Sequence, residues 1–394
     1  MITFPEALDL LTANAPVMPS ERCRIEQAAG RVLREAIHAD RDFPPFDRVM
    51  MDGYVMRSDE LAKCRDFRIA GSAAAGESAH FMPEQSGCCL EIMTGAPLPH
   101  GADCVVPLEE ASFPEPGRVR VSESFEWVAG KFIHRAASDA SAGQVLIESG
   151  CLLGSKEIGV AAACGMGWLE VSRRPVIRVF ATGDELVAVD QEPAAHQIRQ
   201  SNAHAIRCAL QRGGYEVSHI GVIRDSMDDA ENILRSEVAS GDWLILTGAV
   251  SKGARDYIPA VLERLGCTKL FHGVLQRPGK PAGCWLGPGG QMIVALPGNP
   301  VSALVGLHAL ILPALAKASG MNAPRTRMVA TADRMERLGG MTLHLPVSLG
   351  DDGRVRAEAT RNSGDFIGLL RSDGFVTLPP REVGGTEFPY TPWL

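Results

Sequence analysis

Between residues 176 and 319 the chain alternates two kinds of apolar run. Val176-Ile177-Arg178-Val179-Phe180-Ala181, Trp243-Leu244-Ile245-Leu246-Thr247 and Met292-Ile293-Val294-Ala295 are short and almost continuously apolar, the pattern of strands buried on both faces. A further strand reads over 216–221. Residues 202–212, 227–240, 258–265 and 300–319 read as helices between and after these strands. Strand and helix in alternation predict a mostly parallel sheet with helices on both faces. In such a sheet a ligand binds beyond the carboxyl ends of the strands.

The flanking regions have other periods. Residues 5–12 have helical spacing, and Ser20 reads as the cap of a second helix over 21–36, weakened by Gly30. From 42 to 135, glycines and prolines punctuate short apolar runs at 67–70, 89–93, 104–107 and 118–121. They predict short antiparallel strands in a small barrel or sandwich. Ser155 would cap a helix reaching Cys164. Near the end, runs at 343–349 and 354–359 flank Gly350-Asp351-Asp352-Gly353, a hairpin loop, and with 376–378 they suggest a small β-barrel.

Composition narrows the function classes. At roughly 100–200 residues per domain, a chain of 394 residues suggests two to four domains. A formal net charge of -8 argues against a general nucleic-acid binder, but leaves room for a phosphorylated ligand held by local groups. The ten cysteines contain no Cys-x-x-Cys pair, so a zinc ribbon or redox motif is not expected. The first residues lack a cationic n-region, and no apolar run of about 18 residues is apparent. With free thiols, these features point to a cytoplasmic protein without a membrane span.

Three of the expected strand ends are polar and glycine-rich: Thr182-Gly183-Asp184-Glu185, Thr247-Gly248-Ala249-Val250-Ser251-Lys252-Gly253 and Leu296-Pro297-Gly298-Asn299-Pro300. In a doubly wound sheet all three share one rim, where glycine lets a ligand approach the backbone. Asn299-Pro300 looks like an N-cap and first-turn proline, a place to hold phosphate. Arg277-Pro278-Gly279-Lys280-Pro281 sets two cations on a stiff loop suited to an oxyanion. Asp184, Glu185, Asp225 and Asp256 supply oxygens of the kind Mg²⁺ takes beside phosphate. Each feature alone is equally an ordinary helix start, basic turn or capping acid; their coincidence on one rim favours a ligand site.

These motifs, in this order, resemble a known family. Asp42-x-Pro44-Pro45-Phe46-Asp47, Met51-Asp52-Gly53-Tyr54, Met93-Thr94-Gly95-Ala96-Pro97, Thr182-Gly183-Asp184-Glu185-Leu186, Ser251-x-Gly253-x-x-Asp256-Tyr257, Arg277-Pro278-Gly279-Lys280-Pro281 and Leu296-Pro297-Gly298-Asn299-Pro300-Val301-Ser302 are similar to the signatures of MoeA-type molybdopterin molybdenumtransferases and of the gephyrin E domain. The resemblance implies a multidomain α/β plus β protein. Residues 1–41 and 139–172 would form an elongated domain, 42–138 an inserted β domain, 173–322 a doubly wound MogA-like molybdopterin-binding domain, and 323–394 a C-terminal β-barrel. It implies a homodimer whose active site joins the α/β domain of one subunit to the β domain of the other.

The implied reaction is insertion of molybdate into adenylated molybdopterin, with Mg²⁺ and release of AMP; tungstate is an equally sized alternative. The resemblance places catalytic roles on Asp52, Thr94, Asp139, Glu185, Asp225, Asp256 and Lys280. It places substrate binding on Thr182, Gly183, Asp184, Gly248, Ser251, Gly253, Arg277, Pro297, Gly298, Asn299, Ser302 and Ser363, and metal ligation on Asp225, Asp256 and Glu185. A molybdopterin adenylyltransferase and apo-molybdoenzymes would be its protein partners. Two departures stand out. The family's Arg-x-x-Gly-Glu-Asp reads here Arg135-Ala136-Ala137-Ser138-Asp139, and the family's C-terminal anion-binding arginine has no clear counterpart near 343–348. They motivate the alternatives of a pterin-binding carrier or scaffold of the same fold.

Overall fold

The computed structural model describes residues 1–394 except 249, 251–256, 324–325, 333–338, 359, 361 and 381–386. It divides into two compact units. One comprises Met1–Glu35, Ser149–Ile158 and Trp168–Leu394; the other comprises Ala36–Glu148 and Gly159–Gly167.

The larger unit is built on a six-stranded sheet. In spatial order its strands are Val217–Ile223, Ile177–Thr182, Trp243–Thr247, Met292–Leu296, Gly283–Leu286 and Thr268–His272. The first four are mutually parallel; Gly283–Leu286 runs antiparallel to both its neighbours, Met292–Leu296 and Thr268–His272. Successive side chains on a strand point to opposite faces, and here both faces are dry. Ile177, Val179, Trp243, Ile245, Met292 and Val294 pack on one side with the helices Phe4–Asn14, Asn202–Arg212 and Leu312–Ala318. Phe180, Leu244, Leu246, Ile293 and Ala295 pack on the other with Met227–Ser240 and Ile258–Arg264. Each such aliphatic side chain contributes about 1.5–3 kcal/mol when withdrawn from water.

The expected run over 300–319 is one helix with an interruption: Pro300–Gly306, a π turn at Leu307–Ile311, and Leu312–Ala318. Pro313 follows the π turn, and its missing N–H removes a helical hydrogen bond there. Contrary to the expected lack of any apolar run of spanning length, Pro300–Ala318 meets that length and composition. It is 72% buried within the fold, as a core helix is.

The sequence reading fails over 21–36. Ser20–Arg24 is a strand paired antiparallel with Trp168–Ser172, and only Cys23 within it is buried. A single inward side chain in five fits a surface ribbon better than a helix stripe. Gly30 then turns the chain at φ +74°, a conformation that a helix does not contain. The reading also omits Thr268–His272, Gly283–Leu286 and Val274–Arg277 as strands.

The C-terminal sheet draws strands from three parts of the chain. Its order is Ile2–Thr3, Val274–Arg277, Thr342–Leu349, Gly374–Leu378, Glu387–Pro392 and Arg327–Ala330, with Val355–Ala357 also on Thr342–Leu349. A bridge from Thr331 to Val355 brings the path nearly back on itself. The hairpin across 350–354 is present, with Leu349 opposite Val355.

In the smaller unit the sheet order is Cys104–Pro107, Gly53–Met56, Cys88–Ile92, Asp66–Ala73, Arg118–Val121 and Ala111–Ser112. Neighbours are antiparallel as expected, except that Asp66–Ala73 and Cys88–Ile92 run parallel. Val55 enters one core while Tyr54 and Met56 enter the opposite one, which explains the continuous burial of that strand.

His344 tests the C-terminal core. Its ring lies between Phe4 and Phe375, with Nδ1 3.1 Å from Thr377 Oγ1. Burial pushes its pKa down to about 3. The imidazole is therefore neutral when folded and gains a proton on unfolding below its ordinary pKa of about 6.5. Its contribution to stability is complete above that pH and is lost as pH falls, by about 1.4 kcal/mol per pH unit. Chemical denaturation between pH 6 and pH 5 should show a slope shallower by about this amount in His344→Phe; equal slopes would contradict the assignment.

Candidate functional site

The polar strand ends follow from the sheet's register. Ala181 lies opposite Thr247, and Thr247 opposite Leu296. Thr182-Gly183-Asp184, Gly248 and Pro297-Gly298-Asn299 therefore leave the sheet side by side at its carboxyl edge. The glycines make this possible. A Cβ on Gly248, which has φ +95°, would stand 2.5 Å from Thr182 Oγ1; a Cβ on Gly298 would meet Gly248 Cα at 3.6 Å. Thr182 and Pro297 are buried, whereas Asp184, Glu185, Gly298 and Asn299 are exposed. The edge is thus an apolar floor carrying exposed backbone and carboxylates.

Hydrogen bonds tie neighbouring loops to this edge. The Asp225 N–H donates to Asp184 Oδ1 (3.2 Å). Tyr257 donates its hydroxyl to the Arg224 carbonyl (2.7 Å) and lies 3.4 Å from Asp225 Oδ1. Burial, and then the negative charges of Asp225, Asp184 and Asp229, push the Tyr257 pKa up, so the hydroxyl remains a donor. Asn202 Nδ2 donates to the Gly298 carbonyl (2.7 Å). Sequence reasoning gave Tyr257 and Asn202 no role; their signals were a tyrosine directly after the Asp256 motif and an asparagine at a helix start.

Asn299 differs from its expected capping role. Its side chain caps no helical N–H; Nδ2 donates instead to Ser363 Oγ (2.8 Å). The Ser363 carbonyl accepts the Val301 N–H (3.1 Å). Ser363, distant in sequence, is thereby fixed at the rim. Ser302 is buried in the first turn of the following helix. A Cβ on Gly279 would reach the Ser302 carbonyl at 3.7 Å, so the cationic loop packs beside that turn. Arg277 ends a strand of the C-terminal sheet, and both Arg277 and Lys280 are exposed.

The oxygen donors suit Mg²⁺ only in part. Asp225 and Asp184 share the rim, and the Glu185 carboxylate folds over Gly183, where a Cβ would meet Oε2 at 2.5 Å. Among the described residues no group of three metal-ligating side chains is assembled. Ser251, Gly253 and Asp256 lie outside the described residues.

Asp52, Thr94 and Asp139 lie in the smaller unit. The Thr94 N–H (2.6 Å) and hydroxyl (2.7 Å) both donate to Asp52 Oδ1, and they hold the Asp52 carboxyl below its usual range. Asp52 is exposed and ionised. Gly53 beside it is obligatory: a Cβ there would stand 2.0 Å from the Val106 carbonyl. Asp139 Oδ1 lies 2.7 Å from His134 Nε2, while His134 Nδ1 accepts from Arg48 Nε (3.3 Å). The contact with His134, ahead of that with Ser138, lowers the Asp139 pKa. The sequence reading missed His134 and Arg48; they are brought together by the pairing of Arg48–Val49 with Ile133–His134.

The altered 135–139 segment contains a left-handed turn. Ala137 has φ +60°, a left-handed conformation that costs a residue with a Cβ about 1–2 kcal/mol. Ala137→Gly should raise the thermal midpoint, with a net gain of up to about 1 kcal/mol after glycine's added unfolded-state entropy. A lowered midpoint in a melting scan would show that the turn is not strained.

Known proteins match along the whole chain. Residues 2–165 match the family model for the MoeA N-terminal region (domain I and II), and residues 178–317 match the model for a probable molybdopterin binding domain. A molybdopterin molybdenumtransferase from Synechocystis sp. is 36% identical over 408 residues, covering 100% of both chains. One from Synechococcus elongatus is 32% identical over 390 residues, covering 96% of each. A solved MoeA molybdopterin biosynthesis protein from Pyrococcus horikoshii has a TM-score of 0.76 at 27% identity, covering 100% of this chain and 99% of its own. A second solved MoeA molybdopterin biosynthesis protein, from Pyrococcus horikoshii OT3, at 23% identity and full coverage of both chains, shares the fold with a TM-score of 0.82. The chain belongs to the molybdopterin molybdenumtransferase family.

Proposed function

We propose that the protein inserts molybdate into adenylated molybdopterin with Mg²⁺ and releases AMP, completing a step of molybdenum cofactor biosynthesis. The observation that carries this reading is the alignment of three glycine-containing strand ends on one carboxyl edge, with Gly248 and Gly298 in near contact. Such an edge admits a flat ring and a pyrophosphate against backbone. Exposed Arg277 and Lys280 offer donors and positive charge to molybdate and phosphate oxygens. Asp225, with Asp184, Glu185 and Asp256 as further candidates, would hold Mg²⁺. When bound, that ion would offset charge building on the pyrophosphate as its P–O bond breaks.

The residues' own tasks are positional and electrostatic. Thr182, Gly183, Gly248, Pro297, Gly298 and Asn299 form the surface on which the substrate lies. Ser302 and Ser363 support that surface, one from the buried helical turn and the other through Asn299. The ionised Asp52, held by Thr94, and Asp139, held by His134, form a second set of carboxylates in the β unit. We assign the second set to the site of a neighbouring subunit in a homodimer. The fourfold division at 1–41 with 139–172, 42–138, 173–322 and 323–394 belongs to the same proposal, as do the adenylyltransferase and apo-molybdoenzyme partners.

Purified protein mixed with adenylated molybdopterin, Mg²⁺ and molybdate should release AMP in a molybdate-dependent manner. Asp225→Asn and Lys280→Ala should each slow release by about 10²–10³-fold, the size expected for one lost electrostatic contact to the reacting groups. Tight binding of the adenylated pterin without AMP release would overturn the transferase reading in favour of a carrier.

A further inference from the structure

The carboxylates of the smaller unit hang on one short strand. Arg48–Val49 pairs antiparallel with Ile133–His134, Arg48 opposite His134, and the Met50 N–H donates to the Phe132 carbonyl on the same side (2.9 Å). The strand's other side meets the loop at 94–97. There Arg48 bridges to Pro97, the Val49 N–H donates to the Ala96 carbonyl (3.0 Å), and the Gly95 N–H donates to the Val49 carbonyl (2.8 Å). The strand thus stands between the loop whose Thr94 holds Asp52 and the segment that leads to Asp139.

The two arginines beside Asp139 have different partners. Arg135 pairs with Asp47, whose Oδ1 also accepts the Ala136 N–H (2.8 Å). Arg48 meets an imidazole instead: its Nε and Nη2 lie 3.3 and 3.1 Å from His134 Nδ1. His134 Nε2 is 2.7 Å from Asp139 Oδ1, and the Ser138 hydroxyl donates to the same oxygen (3.1 Å). The Asp139 N–H donates to the Phe43 carbonyl (2.9 Å), so its backbone and one carboxylate oxygen are both fixed. His134 is half-buried and Asp139 exposed. Among the described residues, the side-chain bonds to this carboxylate fall on Oδ1 and leave Oδ2 open.

This chain of contacts decides which ring nitrogen carries the proton. A guanidinium donates and never accepts, so Nδ1 must offer its lone pair. In a neutral imidazole the proton then sits on Nε2, and Nε2 donates to Oδ1. Donation to the charged form favours an ionised carboxyl, which is the direction found for Asp139, with the His134 bond as its largest cause. A neutral donor orients the carboxylate without cancelling its charge, as an arginine paired with it would in part.

We propose that Arg48 and His134 are positioning residues for Asp139: Arg48 fixes the imidazole with its proton on Nε2, and that proton holds Oδ1 so that Oδ2 faces the substrate. The inference rests on the catalytic role proposed for Asp139. Neither side chain touches the reacting groups; both act through the carboxylate. Removing either one therefore loosens an oriented, charged oxygen and leaves the substrate surface of the larger unit as it was.

The full chain, labelled with ¹⁵N in its histidine rings, would be measured by long-range ¹H–¹⁵N correlation without substrate, with His134 identified by its loss in His134→Gln. A bare Nδ1 and a protonated Nε2 are expected, with the two tautomers mixing in Arg48→Met. With ¹³C-labelled aspartate, the Asp139 carboxyl should titrate at higher pH in His134→Phe and return toward the wild type in His134→Gln, which restores an N–H donor. In AMP release, His134→Phe should lower kcat about tenfold, the size of one lost hydrogen bond to a charged group, with KM for the adenylated pterin unchanged. A proton on Nδ1, an unaltered tautomer in Arg48→Met, or an unmoved Asp139 titration in His134→Phe would overturn the proposal. If Asp139→Asn releases AMP at the wild-type rate, the catalytic reading of Asp139 falls, and the spectra decide the holding of its carboxylate alone.

Discussion

Burial of the parallel sheet on both faces is the constraint from which the architecture of the larger unit follows. Ile177, Val179, Trp243 and Ile245 face one helical layer, and Phe180, Leu244 and Leu246 the other. Both faces are lined almost wholly by apolar side chains; Arg178, within Ile177–Thr182, is paired with Glu237. Polar and flexible residues otherwise gather where the strands end. At the carboxyl ends this gives the Thr182, Gly248 and Gly298 edge.

The candidate rim is closely packed at its glycines and tied at Asn299. Gly248 sits so close to Thr182 that a Cβ would overlap it, and Asn299 is anchored to Ser363 rather than left free. A surface held this way presents backbone in a fixed pattern, which lowers the ordering cost of binding. The cationic loop belongs to the same frame, since Gly279 packs near Ser302 while its flanking Arg277 and Lys280 remain exposed. Support from Ser363 and from Val274–Arg277 shows how the C-terminal sheet contributes to the rim's geometry within this unit.

Much of this was readable because burial leaves a mark on sequence. Fully apolar strands, helical periods between them and glycine-rich strand ends located Asn202–Arg212, Met227–Ser240, Trp243–Thr247 and the rim. The surface ribbon at Ser20–Arg24 was misread because only Cys23 faces inward, leaving no period to detect. Thr268–His272 and Val274–Arg277 were passed over because strand pairing is a long-range property. The same limit hid Arg48 beside His134, and the hydrogen bond that joins Ser363 to Asn299. Each is made by register or tertiary packing, and nothing local announces it. Ala137 adds a left-handed turn that its residue type does not announce.

The central claim is that the substrate lies on the carboxyl edge of the parallel sheet. Amide hydrogen exchange with and without adenylated molybdopterin reads this directly. Slowed exchange at Gly183–Leu186, Gly248 and Gly298–Ala303, with Ile177, Trp243 and Met292 unchanged, is the predicted result. Protection confined to the amino ends of the strands, or to the β unit alone, would contradict the account.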